Sequence, residues 1–169
     1  MTQAPVTSPE LASTFEAMAW HDDLTLDLAY MDGTHREFVD LLAQLAKEPD
    51  ETLLPLWDTV IAHTQEHFDR EDEWMVQTQF GPAACHSGQH REILLIMREV
   101  AKRGAAGNLA MVRQLTYELG IWFNNHAQGM DAGLADHLKA VGFDPETGVS
   151  ARPISAPSGG CAGDSGSCG

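Results

Sequence analysis

The sequence has no apolar run long enough to cross a bilayer. Its longest, residues 93–97, falls far short of the ~20 residues a spanning helix needs. The opening residues, MTQAPVTSPELASTFEAMAW, have no basic region followed by an apolar one, so no signal peptide is expected and the default location is the cytoplasm. Positive charge is scarce: ten Lys and Arg stand against 25 Asp and Glu, a formal charge of −15. That balance disfavours nucleic acid and anionic membrane as partners, since both want clustered Lys and Arg. Most of the acidity serves solubility, and part of it can be ligand carboxylates. None of the three cysteines forms a CxxC, which removes zinc knuckles and thioredoxin-like chemistry. β-Branched runs are few and no repeat of 20–50 residues is visible. What remains is a 169-residue chain, about two-fifths hydrophobic, sized for one domain with its own core.

The stretch HFDREDEWMVQTQFGPAACHSGQH holds two pairs of metal-ligand type, His67-x3-Glu71 and His86-x3-His90. Residues four apart lie on one face of a helix, one turn above each other. Gly81-Pro82 between the pairs interrupts any helix. The pattern is a helical hairpin whose arms aim ligands at one place. Buried without a metal, such a cluster would need many hydrogen bonds to offset its desolvation.

Around this hairpin the periodicity predicts an all-α chain. Residues 1–19 form an arm, and residues 20–30 an extended segment burying Trp20, Leu24, Leu26 and Leu28. A first helix is expected from Asp32 as N-cap, with His35, Phe38, Leu41, Leu42 and Leu45 on one face, ending at Glu48-Pro49. A second, under way by Pro55, carries Leu56, Val60, His63, His67, Glu71 and Trp74. A third carries His86, His90, Ile93, Leu94, Met97 and Val100, broken by Gly104 and Gly107. A fourth carries Leu109, Val112, Leu115, Leu119, Trp122 and His126, and continues past Asp131 until Gly142.

Four amphipathic helices with short connections pack as an antiparallel up-down-up-down four-helix bundle. In that topology His35, His67 with Glu71, His86 with His90, and His126 with Asp131 all fall at one end. At roughly 1.5 Å per residue they lie within about two turns of each other. The bundle is expected over residues 20–145, and residues 146–169, rich in Gly, Ser, Ala and Pro, as a flexible C-terminal tail.

These elements resemble the hemerythrin family, in its bacterial single-domain form. The likeness rests on a Trp-x-Asp-Asp-Leu arm (Trp20 to Leu24), Asp32-Gly-Thr-His35-Arg36, His67-Phe68-x2-Glu71, His86-x3-His90 and His126-x4-Asp131. Each is weak alone; five in order are strong. The resemblance implies a non-haem di-iron centre. His86, His90 and His126 would hold one iron. His35 and His67 would hold the other, leaving it one position short, where dioxygen would bind. Glu71 and Asp131 would bridge the two, with an oxo or hydroxo group as third bridge. Imidazole suits iron in both oxidation states, and carboxylates span two cations. Asp131 is five residues from His126, which an ideal helix sets about 140° off the His face; a reach from both metals or a local wide turn must absorb this. Phe38, Phe68, Ile93, Trp122 and Phe123 are expected to line and dry the oxygen pocket.

Spacing alone leaves one register open, because His63-x3-His67 is itself a plausible pair. The resemblance selects His67 with Glu71 and makes His63 a core or supporting histidine. His21 and His137 are read as surface residues, Cys85 as a small packing residue, Asp72 and Glu73 as facing solvent, and Glu66 as pointing away. The expected function is reversible dioxygen binding for storage, delivery or sensing. The alternatives are a di-iron enzyme reducing peroxide, NO or O2, and an iron-handling protein that meets a redox or delivery partner through Cys161 and Cys168. A ferritin-like oxidase is disfavoured, because that class needs Glu-x2-His pairs and mostly carboxylate ligands.

Overall fold

The computed structural model describes residues 19–151. Helices α1 (Ala29–Leu45), α2 (Asp50–Gln77), α3 (Ala83–Ala105) and α4 (Leu109–His126) form the bundle, each packed on its sequence neighbours, with α1 closing the ring on α4. Beyond α4 the rod continues through a π-helical segment, Ala127–Asp131, into α5 (Ala132–Val141). Backbone angles stay right-handed helical across both junctions. A two-residue hairpin, β1 (Phe143–Asp144) with β2 (Val149–Ser150), follows. Among the described residues no helix is long and apolar enough to cross a membrane.

Several boundaries differ from the periodic reading, each for a local reason. Residues 20–30 are not extended: a 3-10 turn covers Asp22–Leu24, Asp27 takes a positive φ of 56°, and α1 already begins at Ala29. Leu24 and Leu26 are buried as expected. Asp32 lies inside the first turn rather than capping it, and its carboxylate accepts the Leu26 N–H at 2.7 Å. The α2 helix starts at Asp50, ahead of Pro55. Gly104 does not break α3 but lets it approach its neighbours: a Cβ there would sit 2.7 Å from Leu54 and 2.8 Å from Val112. The stop is Gly107, whose φ of +100° suits a residue without Cβ, after which Asn108 caps α4 by accepting the Met111 N–H. The expected tail begins inside the β-hairpin, where both Asp144 oxygens take hydrogen bonds from Glu146 and Thr147. The rest of that tail and nearly all of the expected arm lie outside the described residues.

Two apolar clusters divide the interior. The larger holds Leu24, Phe38, Leu42, Trp57, Val60, Phe68, Ile93, Met97, Leu119 and Phe123. The smaller holds Met31, Trp74, Met75, Leu134, Leu138 and Phe143. Along α1 the order is Met31, His35, Phe38; along α2 it is Phe68, Glu71, Trp74; along the fourth rod it is Phe123, Asp131, Leu134. The polar residues therefore form a layer between two hydrophobic plugs. The end of the bundle is closed, so the layer is less a mouth than a chamber.

Candidate metal centre

His35, His67, Glu71, His86, His90, His126 and Asp131 all face this chamber. The most exposed is His67, at 7 %. One group of ligand atoms, from Glu71, His86, His90, His126 and Asp131, lies within 4.8 Å of itself; a second joins His35 and His67 to the same two carboxylates within the same limit. The π-helical segment makes this possible. Its i→i+5 repeat takes up the extra residue between His126 and Asp131, so both point inward where an α-helix would turn one of them away.

Each carboxylate serves both groups. Asp131 sets Oδ1 3.1 Å from His86 Nε2 and 3.2 Å from His126 Nε2, and Oδ2 3.3 Å from His35 Nε2. Glu71 sets Oε2 3.4 Å from His90 and 3.5 Å from His86, and Oε1 3.6 Å from His67. The ring nitrogens crowd in the same way: His35 and His67 Nε2 are 3.1 Å apart, and His126 Nε2 is 3.2 Å from both His86 and His90. Neighbouring ligands about 2.1 Å from an octahedral ion lie about 3 Å apart, so these spacings suit atoms that share a cation.

The hydrogen bonding gives an independent test of fit. Among the described residues, the four oxygens of Glu71 and Asp131 meet only the chamber's own imidazoles and make no hydrogen bond beyond them, although both residues are fully buried. Two ionised carboxylates in a dry interior are costly unless compensated by positive charge. Five histidines and two shared acids are a donor set that metal ions of the imidazole- and carboxylate-binding kind satisfy. Protons can occupy the site in their stead. Burial lowers the His86 pKa, but Asp131 and Glu71 outweigh it and hold it up at about 9. His35 is also raised: Asp131 and then Glu71 overcome its desolvation. Burial drives His67 down to about 4. Glu71 is opposed by burial and by Asp131, yet the histidines around it pull it to about 2. Asp131 goes well below the carboxylate range by the same competition, with His126 the main attraction.

A cavity of about 10 Å³ adjoins the chamber, lined by Phe38, Thr64, His67, Phe68, Trp122, Phe123, His126 and Asp131. About that volume holds one water-sized molecule. Of the residues expected around an oxygen pocket, Phe38, Phe68, Trp122 and Phe123 line this cavity and Ile93 does not. The lining comes from α1, α2 and the fourth rod, while Ile93 on α3 faces a separate open groove of about 500 Å³ with Gln89, Glu92 and Trp122. Thr64, which the sequence reading missed, donates its hydroxyl to the Val60 carbonyl at 2.8 Å. Thr64 lies three residues before His67, so the helical phase already hinted at it.

Other side chains depart from expectation. Asp72 does not simply face solvent: its Oδ1 accepts from Ser87 Oγ at 2.7 Å and His90 Nδ1 at 3.0 Å. Gln89 accepts from His126 Nδ1 at 3.0 Å. His63 stays outside both groups and pairs with Glu37 at 3.2 Å. His137 is half-buried, donating to the Thr78 carbonyl, whereas His21 is exposed. Glu66 points outward to Arg70 and Glu73 to Gln77. Cys85 is half-buried and disulfide-bonded, so it is not the simple packing thiol expected; Cys161 and Cys168 lie outside the described residues.

The fold and this donor set define a helical-bundle metal-binding protein with two adjoining buried sites. The profile described as "Hemerythrin HHE cation binding domain" matches residues 26–138. A bacteriohemerythrin of Ralstonia nicotianae is 36 % identical over 125 residues, covering 74 % of this chain and 91 % of that protein. One of Stenotrophomonas maltophilia is 28 % identical over 127 residues (73 % and 82 %), and one of Pseudomonas aeruginosa 24 % over 127 residues (72 % and 82 %). The chain belongs to the hemerythrin family.

Proposed function

We propose that this protein binds dioxygen reversibly at a pair of iron ions. His86, His90 and His126 would hold one iron, His35 and His67 the other, and Glu71 and Asp131 both. The observation that carries this reading is the imbalance of the two groups. Three imidazoles serve one side and two the other, and the small cavity touches His67 of the poorer group as well as His126 of the richer one. When bound, a pair of irons supplies the two electrons that reversible dioxygen binding requires.

The chain's own part is positioning and exclusion. Phe38, Phe68, Trp122 and Phe123 keep the cavity to about one small molecule. Thr64 has spent its proton on Val60. His67, held down near 4 by burial, is neutral at physiological pH and brings no acidic proton. Without a donor at the cavity wall, loss of bound oxygen as a protonated, reduced product is slow. The alternative, an enzyme reducing peroxide, NO or O2, needs such a donor. Two such groups, Glu37 and His63, line a separate polar pocket of about 80 Å³ with Tyr30, His67 and Arg70.

The test is to add oxygen to the anaerobically reduced, iron-loaded protein and follow its visible spectrum. A stable adduct that disappears under vacuum and re-forms on re-aeration is the expected result. Immediate conversion to oxidised protein with no reversible adduct would favour the enzyme. We infer no role for Cys161 and Cys168 in this chemistry.

A further inference from the structure

A histidine that offers one ring nitrogen to a metal has its other N–H left to place. The five histidines of the chamber divide sharply on this point. Among the described residues, Nδ1 of His35, His67 and His86 has no hydrogen-bond partner. Nδ1 of His90 donates to Asp72 at 3.0 Å, and Nδ1 of His126 donates to Gln89 at 3.0 Å. Both supported rings belong to the three-histidine group. The two-histidine group has no such support.

The two supports are unequal. Gln89 offers a neutral amide oxygen, whereas Asp72 offers a charged carboxylate, and charge-assisted bonds are roughly twice as strong. Asp72 is itself held, because Ser87 Oγ donates to the same Oδ1 at 2.7 Å. Ser87 and His90 are three apart on α3, so one turn of that helix presents both donors to one oxygen on α2. Phe68 completes the clamp. Its ring stacks on that of His90 with centroids 3.8 Å apart and 5° between planes. Since a carboxylate only accepts, Nδ1 of His90 must carry the proton, which leaves the Nε2 lone pair aimed into the chamber.

We propose that Asp72 is a positioning residue that locks His90 and makes the three-histidine site the more electron-rich of the two, favouring the oxidised metal there. This rests on the two-iron reading above. A carboxylate pulling on Nδ1–H raises the donor strength of Nε2, and such outer partners are worth about 10–100-fold in metal affinity. The unsupported pair, His35 and His67, then marks the site that gives up its metal first.

The test compares wild type, Asp72→Asn, Asp72→Glu and Ser87→Ala after anaerobic iron loading, with iron content, chelator-driven release and midpoint potential read for each. Asp72→Asn keeps an acceptor of the same shape and removes the charge. It should retain two irons, lose the slower-released iron about tenfold faster, and raise the midpoint, by about 59 mV for each tenfold by which the oxidised metal loses more affinity than the reduced one. Asp72→Glu should return the potential toward wild type. Ser87→Ala keeps the charge but frees its orientation, and should shift the potential the same way by less. An unchanged potential in a fully loaded Asp72→Asn protein overturns the proposal. Should that variant load poorly, an unchanged potential in Ser87→Ala overturns it instead. A wild type that loads no pair of irons would sink the two-iron reading itself, and Asp72's role with it.

Discussion

Metal-free protein should hold protons where the metals belong, and loading should expel them. His86 lies 3.1 Å from Asp131 and 3.5 Å from Glu71, which keep its pKa at about 9 against the effect of burial. At pH 7, below that value, the ring is mostly protonated, and stripping the proton costs about 3 kcal/mol. A metal must do that stripping, so its affinity should rise about tenfold per pH unit between pH 7 and 9 from this residue alone. His35, also raised, adds to the slope. Glu71, near 2, is already an anion at these pH values, and Asp131 is too; His67, near 4, is already neutral. The expected release is therefore at least about one proton per chain, from His86. Calorimetry of Co(II) binding to metal-free protein, at pH 7 in buffers of different ionisation enthalpy, counts them; His86→Ala should lower the count by about one. No proton release, with equal affinity at pH 6.5 and 8, would refute the reasoning.

Three further outcomes follow from the same geometry. His67→Ala and Glu71→Ala should each lose at least one iron and melt earlier, since bound metal stabilises the fold by mass action; His63→Ala, outside both groups, should keep its iron content, as metal analysis would show. Phe68→Ala removes a ring that is 3 % exposed and stacked on His90; it should cost about 3–5 kcal/mol in chemical denaturation of the metal-free protein and, by widening the cavity, hasten oxidation of the loaded one. Because Cys85 is disulfide-bonded, denatured protein should show fewer than three reactive thiols before reduction and three after, which a thiol-reagent count settles.

The helices and the convergence of the chamber residues were legible because both depend on period. His86 and His90, or His67 and Glu71, repeat at four, and antiparallel packing brings the four ends together whatever the loops do. The five-residue gap from His126 to Asp131 was visible as a misfit, and the π-helical segment is its resolution. Features that depend on the facing helix were not legible. Asp72 is only about 100° around α2 from Glu71, and nothing in its own helix tells that Ser87 and His90 wait across the interface. Ile93 was misplaced for the same reason: its spacing from His90 gives height along α3 but not which neighbour it meets. Gly104 looks like a helix breaker in isolation, and only its contacts with Leu54 and Val112 show that its missing Cβ serves packing. The closing of the bundle's end by Met31, Trp74, Leu134 and Phe143 drew on residues that single-helix stripes did not connect.

The most direct measurement is anomalous diffraction at the iron edge from crystals of the iron-loaded protein. Two peaks per chain are expected between the same pair of carboxylates, Glu71 and Asp131, one ringed by His86, His90 and His126 and the other by His35 and His67. A single peak, or a second one lying away from His35 and His67, would contradict the account.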